Sequence, residues 1–137
     1  MSSDFNQILT HLSDNKALLK LSFLYSLSKL NKEKLKQFEL TWGQIDAPRR
    51  RKILENLVEI TEESFEVDFS PIFILALKDP DADTQVFAIN GLWENESLAL
   101  IPAFLYLLKD GQNAKVRATA ATALDWLSTM TAVQPIP

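Results

Sequence analysis

One helical unit of roughly thirty residues is written twice in this chain, and this duplication limits the fold more than any other feature. The sequence SPIFILALKDPDADTQVFAINGLWE (70–94) is followed by IPAFLYLLKDGQNAKVRATAATALDWL (101–127). The two copies align when the Leu-Lys-Asp of residues 77–79 is placed on that of residues 108–110. Self-similarity with a period of roughly 20–50 residues indicates a repeat architecture.

Each copy predicts two helices joined by a polar turn. The first segment is apolar and ends at Lys-Asp, after which Pro80 or Gly111 stops the helix. The second segment has an amphipathic pattern, which in the second copy is Val116, Ala120, Ala123, Leu124 and Leu127. One such pair of helices cannot bury its own apolar face, so the copies must stack on neighbouring pairs. The sequence therefore predicts an all-α solenoid.

The second copy resembles a HEAT repeat of the short bacterial kind, through the pattern Val-Arg-x-x-Ala-x-x-Ala-Leu at residues 116–124. The first copy has Thr84-Gln85 in place of Val-Arg, while Ala88 and Gly91 fit the pattern. The resemblance implies a right-handed superhelix of stacked antiparallel helix pairs. It also implies that an arginine at the start of the second helix bonds to the aspartate that ends the first.

In this chain the arginine–aspartate set implied by the resemblance is Arg117 with Asp110 or Asp79. Gln85 would break the same ladder in the first copy, because glutamine stands where arginine is expected.

The remaining sequence predicts further, degenerate helix pairs in a single domain of residues 1–137. We expect about four pairs, with residues 1–68 degenerate, 69–97 and 98–130 as the clearer repeats, and 131–137 as a tail. The helices predicted before residue 68 are Ser3–Ser13, Lys16–Lys29, a third capped by Asn31 and ended by Trp42-Gly43, and a fourth with Pro48 in its first turn.

Composition excludes several classes of protein. The chain has no cysteine among its 137 residues, which excludes disulfides, thiolate metal sites and a cysteine nucleophile. No apolar run reaches the eighteen or so residues of a membrane span, and the N-terminus has no basic region before an apolar one. These features predict a cytoplasmic protein without a membrane partner. The net charge of −4 argues against nucleic acid as a partner.

This acidic chain contains one basic cluster, which consists of Arg49, Arg50, Arg51 and Lys52. Four cations at a helix N-terminus oppose the helix dipole, so the cluster could serve to bind phosphate or an acidic partner. The alternative is a solvated helix face with pairs such as Arg51 to Glu55.

Chemical sites are weakly supported by the sequence. Asp79, Asp81 and Asp83 have the spacing that opens a calcium loop, but Thr84 and Asn90 replace the Gly and Glu of such a loop, so we expect a helix-capping corner instead. His11, the single histidine, predicts a structural role. The sequence Asn95-Glu96-Ser97 matches a glycosylation sequon, although a helix end and cap is the simpler interpretation. We therefore predict no cofactor, no metal and no enzyme activity.

The favoured function is a scaffold or adaptor that binds another protein along the second helices of the repeats. The predicted contact residues are Gln85, Trp93, Arg117, Thr122, Asp125 and Trp126. One alternative is an enzyme-associated role, since HEAT-like repeats resemble those of phycobilin lyases and of DNA-repair glycosylases. Another is self-association, giving a homodimer through the last repeat, whose following residues are not strongly polar.

Overall fold

The computed structural model describes residues 2–92 and 98–133, and within these ranges the chain is entirely helical apart from connections. The helices are α1 (Ser2–Ser13), α2 (Leu21–Tyr25), α3 (Lys32–Trp42), α4 (Ala47–Glu63), α5 (Ser70–Ala76), α6 (Ala82–Leu92), α7 (Ile101–Asp110) and α8 (Ala114–Val133). A 3-10 turn, Leu98–Leu100, precedes α7. None of the helices described here is both long enough and apolar enough to cross a membrane. The all-α prediction is confirmed.

The helices are arranged in two layers, as in a solenoid. The first layer contains α1, α3 and α5, which pack side by side in that order. The second layer contains α2, α4, α6 and α8, again in chain order. Contacts of α5 with α6 and of α7 with α8 join the two helices of each sequence repeat. The solenoid is therefore confirmed, while its handedness and its division at residues 68, 97 and 130 stay predictions.

Side-chain caps fix where several helices begin. An Asn or Asp oxygen accepts a hydrogen bond from the backbone N–H three residues later at four helix starts. These caps are Asn31 to Lys34 (2.8 Å), Asp46 to Arg49 (3.1 Å), Asp81 to Thr84 (3.0 Å) and Asn113 to Val116 (2.9 Å). Such a cap satisfies an N–H that has no partner within the helix. The predicted starts at Asn31 and Pro48, and the predicted stop at Gly43, are confirmed.

The helix predicted over residues 16–29 is wrong, because only α2 is helical there. The side chain of Asp14 accepts from the backbone N–H of Lys16 at 3.1 Å, which makes a turn that competes with helix formation. The imidazole of His11 accepts from the N–H of Lys20 at 3.1 Å. These bonds hold the chain outside a helix, and Leu18 is left 90% exposed.

In each repeat the two helices pack closely, and the residues at the contact are equivalent. Phe73 of α5 and Phe104 of α7 are both fully buried. A methyl group on Gly91 would lie 2.5 Å from ring atoms of Phe73, so α6 approaches α5 at a distance that only glycine allows. In the second repeat the corresponding residue is Ala123, which is also buried. The small residues of the repeat therefore serve close helix packing, as predicted.

Burial differs between the repeats at the end of their first helices. Leu77 is 5% exposed, whereas the corresponding Leu108 is 37% exposed. Asp79 is buried, whereas Asp110 is exposed. The difference follows from position, because α3 packs beside α5 and Trp42 at its end contacts Asp79.

Candidate functional site

The second layer of helices forms a groove on its outer face. Side chains of α4, α6 and α8 line it together and enclose a volume of about 850 Å³. We call it the second-helix groove. Its lining includes Val58 of α4, Phe87 of α6, and Thr119, Thr122 and Trp126 of α8. Phe87 and Trp126 are half-buried, so each presents part of an aromatic ring to the groove.

The ionisable side chains that line this groove are all acidic. They are Glu55, Glu59 and Glu62 of α4 and Asp125 of α8, and none of the described lining residues is Lys or Arg. Glu55 lies 3.2 Å from the Nζ atom of Lys52. In the described part of the chain no cation lies within ion-pair distance of the other three carboxylates. The groove thus carries uncompensated negative charge.

A second cavity of about 490 Å³ continues the groove toward the N-terminal ends of the same helices. It shares Glu55, Phe87 and Asn90 with the larger cavity and adds three cations. Each cation lies near a carboxylate: Arg51 at 3.3 Å from Asp81, Lys52 at 3.2 Å from Glu55, and Lys115 at 3.5 Å from Asp83. Positive charge at this end is therefore compensated within the fold.

Three of the predicted contact residues lie together in the groove. Thr122, Asp125 and Trp126 of α8 all line it. Sequence reasoning missed the opposite wall, where Glu59 and Glu62 of α4 stand. A signal was present, since carboxylates at 55, 59 and 62 recur with i, i+4, i+7 spacing and so share one helix face.

Gln85 does not belong to the exposed surface on which it was predicted. Its side chain is buried, and its Nε2 atom donates to the backbone carbonyl of Leu77 at 2.8 Å. Its Oε1 atom accepts from the side chain of Gln112 at 2.7 Å, which ties the first repeat to the second. Its polar atoms are thus engaged inside the protein. Trp93, predicted beside it, lies outside the described residues.

The predicted pairing of Arg117 with Asp110 or Asp79 is wrong. The Nη1 atom of the exposed Arg117 donates instead to the carbonyl of Gly111 at 3.0 Å, at the end of α7. Gln85 makes the equivalent bond to the end of α5, so glutamine preserves the contact rather than breaking it. In both repeats the second helix caps carbonyls of the first.

Arg49 and Arg50 of the basic cluster are directed into the protein, which leaves only Arg51 and Lys52 exposed for a binding patch. Arg49 is 8% exposed, and its guanidinium donates to the carbonyls of His11, Leu12 and Ala17. Two of these acceptors belong to the last turn of α1, where carbonyls have no partner within the helix. Arg49 therefore fastens α4 to the end of α1. The side chain of Arg51 is 39% exposed and that of Lys52 is 65% exposed.

Arg50 forms a buried ion pair that joins three segments. Its Nε and Nη2 atoms lie 2.9 and 3.2 Å from the carboxylate oxygens of Asp79. The indole Nε1 of Trp42 donates to the same carboxylate at 2.8 Å, and the backbone N–H of Asp81 donates at 2.9 Å. Arg51 pairs with Asp81 rather than with Glu55. Arg49 and Arg50 thus stabilise the fold, and the solvated-face alternative fails for these two arginines.

The Asp79, Asp81 and Asp83 series forms a capping corner, as predicted. Asp79 binds Arg50, Asp81 accepts from the N–H and hydroxyl of Thr84, and Asp83 lies near Lys115. The three carboxylates therefore serve three different contacts. The sequon at residues 95–97 lies outside the described residues.

His11 has a structural environment at the end of α1. Its Nε2 atom accepts from the backbone of Lys20, and its ring packs edge-on against Phe23 at 4.8 Å between centroids. Burial lowers the pKa of His11 from its ordinary value of 6.5, and the positive charges of Arg49 and Lys20 lower it further, while Asp14 opposes them. These contacts agree with the structural role predicted for this residue.

Comparison with known proteins assigns the repeats to a family. Residues 70–136 match the family model described as HEAT repeats. The comparison with curated proteins found no match, and neither did the comparison with solved structures. The matched segment begins at α5 and covers both sequence repeats, whose stacked helix pairs are described above. Residues 70–136 are therefore HEAT repeats.

Proposed function

We propose that this protein is a non-catalytic scaffold that binds another protein in the second-helix groove. One observation carries the proposal: α4, α6 and α8 each contribute side chains to a single groove. A segment bound there would contact three successive helix pairs at once, so several weak contacts would add up. HEAT repeats and related solenoids commonly use such extended surfaces for protein binding.

The groove contains the residue types that dominate protein interfaces. Trp126 and Phe87 offer aromatic surface that is partly exposed in the free protein. Aromatic residues are enriched among the residues that contribute most to binding free energy. Thr122 lies four residues before Trp126 and Asp125 lies one residue before it on the same helix, where they supply polar contacts at the rim. Apolar anchors with polar neighbours are typical of a docking groove.

Photo-crosslinking from within the groove would test this function. A benzophenone amino acid replaces Thr122 in the groove and, as the matched control, replaces exposed Lys36 on α3. Irradiation in extract of the source cells should give a protein adduct of defined mass from position 122 only. The adduct should be lost when Trp126→Ala is added and far-UV circular dichroism shows an unchanged fold. Equal adducts from both positions, or none from position 122, would contradict the proposal.

The nucleic-acid alternative is disfavoured by the charge of the groove. Phosphates would meet Glu59, Glu62 and Asp125, which repel them. The family match likewise gives no specific support to a phycobilin-lyase type. In the same experiment, an adduct that contains a bilin or nucleic acid instead of protein would favour these alternatives.

Self-association is a second candidate because α7 exposes apolar side chains. Leu105 is 50% and Tyr106 is 63% exposed, and Leu108 stands on the same helix. Two copies could bury these residues against each other, which would give the homodimer that the sequence analysis names as an alternative. Sedimentation velocity at micromolar concentration would show a dimer that Leu105→Glu converts to monomer. A monomer at all concentrations would exclude this candidate.

A further inference from the structure

We propose that the second-helix groove takes a basic, amphipathic peptide segment, with Lys or Arg side chains flanking an aromatic or aliphatic residue. This inference rests on the proposed function, because it specifies the chemistry of the protein that binds there. It follows from three properties of the groove: the sign of its uncompensated charge, the spacing of that charge, and the apolar surface between its walls.

The groove is negative because three of its carboxylates have no ion-pair partner in the described chain. Glu59 and Glu62 on one wall and Asp125 on the other are exposed, and no cation of the described chain pairs with them. The cations of the adjoining cavity are each held near a carboxylate. An approaching segment therefore meets a negative potential, which attracts cationic side chains and accelerates encounter.

The spacing of the carboxylates along α4 matches the spacing of cations on one face of a helical peptide. At a rise of about 1.5 Å per residue, Glu55 and Glu59 are about 6 Å apart along α4, and Glu62 is about 4.5 Å further. Cations at positions i, i+4 and i+7 of a partner helix repeat at the same intervals. A helix lying along α4 could thus set cations opposite Glu59 and Glu62, while Glu55 keeps its pair with Lys52. Asp125 of α8 would contact the segment from the other side.

The space between the walls favours a segment with an apolar residue. Phe87 of α6 and Trp126 of α8 line the same groove as the carboxylates of α4. The volume of about 850 Å³ is enough for a few side chains of a docked segment. A purely ionic peptide would leave these rings in contact with water, so binding should require both charge and an apolar side chain.

Selection from a displayed library of random 12-residue peptides would test the inference with a defined probe. The groove variant is Glu59→Gln/Glu62→Gln/Asp125→Asn, and the matched control is Glu39→Gln/Glu63→Gln/Asp110→Asn. Both variants remove three exposed carboxylates, but those of the control lie outside the groove. Peptides enriched on the wild-type protein should carry Lys or Arg together with an aromatic or aliphatic residue.

The affinities of the enriched peptides for the wild-type protein and the two variants then test whether the groove carboxylates bind them. The groove variant loses three exposed ion pairs, so it should bind about threefold to a hundredfold more weakly. The control variant should stay within about twofold of wild type. Affinity should also fall with added salt, since the Debye length shortens from about 10 Å at 0.1 M to about 3 Å at 1 M.

The outcomes separate this inference from the function on which it rests. Enriched peptides that are neutral or acidic, but lose binding with Trp126→Ala, would overturn the basic segment and keep the groove as a binding site. Basic peptides that bind both triple variants equally would show attraction by net charge alone and would also overturn the inference. No enrichment, or binding unaffected by any groove variant, would overturn both proposals.

Discussion

Replacing Asp79 tests whether the N-terminal helices and the sequence repeats fold as one unit. The Asp79 side chain is 2% exposed and that of its partner Arg50 is 12% exposed. The carboxylate also accepts from the indole of Trp42 and from the backbone of Asp81. These contacts join α3, α4 and the turn between α5 and α6. The substitution Asp79→Ala removes all of them while changing a residue outside the groove.

The expected loss is large because the partners stay buried. Removing one member of a buried ion pair costs about 3–5 kcal/mol, since the other charge is left uncompensated. Arg50 keeps its bond to the carbonyl of Ile45, and its partial exposure allows some hydration, so we expect about 3–4 kcal/mol. At a urea slope of about 2 kcal/mol/M, the unfolding midpoint should fall by about 1.5–2 M.

Urea unfolding followed by far-UV circular dichroism and by tryptophan fluorescence measures the loss. The matched control is Asp110→Ala, because Asp110 occupies the same position of the second repeat and is exposed. It should cost less than about 0.5 kcal/mol. The double variant Arg50→Ala/Asp79→Ala should lose less than the sum of the single variants. Equal losses from Asp79→Ala and Asp110→Ala would refute the reasoning.

Three further perturbations test the packing around α4 and α6. Gly91→Ala should destabilise by about 1–3 kcal/mol in urea unfolding, because its methyl group would lie 2.5 Å from the ring of Phe73. Arg49→Met should cost about 3 kcal/mol, since three carbonyls lose their donor, and amides of α1 should exchange faster with deuterium. Stability should fall as the pH drops below about 6.5, because burial and the charges of Arg49 and Lys20 lower the pKa of His11, so the unfolded chain binds the proton first. Urea titrations at several pH values measure that fall, which His11→Gln should reduce.

Each of these three predictions has a control variant or an outcome that would contradict it. Gly43→Ala should be nearly neutral, because the nearest atom to its added methyl group is 4.0 Å away. If Gly91→Ala is equally harmless, the close packing is not limiting. Lys52→Met removes an exposed cation from the same helix, and a loss equal to that of Arg49→Met would contradict the capping role. An unchanged pH slope in His11→Gln would show that other groups set it.

Local signals in the sequence predicted the local structure well. Asn31 and Gly43 set helix limits through their own caps and turns, so neighbouring residues sufficed to find them. The α8 side of the groove, with Thr122, Asp125 and Trp126, followed from the amphipathic pattern of the repeat. These features depend on residues within a few turns of helix. Periodicity therefore contained most of the information they required.

Contacts between distant segments were not predictable in the same way. The run of apolar residues from Leu18 to Leu27 suggested a long helix, but its start is held as a turn by bonds to Asp14, His11 and Arg49. Apart from Ile45, the side-chain partners of Arg49 and Arg50 lie 29 to 38 residues away in sequence. The sequence shows only the cluster of cations, because the positions of their acceptors depend on how distant segments pack.

The same long-range contacts determine the charge of the groove. The sequence of α4 places four cations in its first turns, which by itself suggests an anionic partner. In the fold, Arg49 and Arg50 are directed into the interior, toward α1 and Asp79, and Arg51 is held by Asp81. The C-terminal half of α4 meanwhile presents Glu59 and Glu62 to the groove with no cation beside them in the described chain. The helix with the strongest basic cluster thus forms the acidic wall of the groove, so the chemistry of the partner follows from the charges that folding leaves uncompensated.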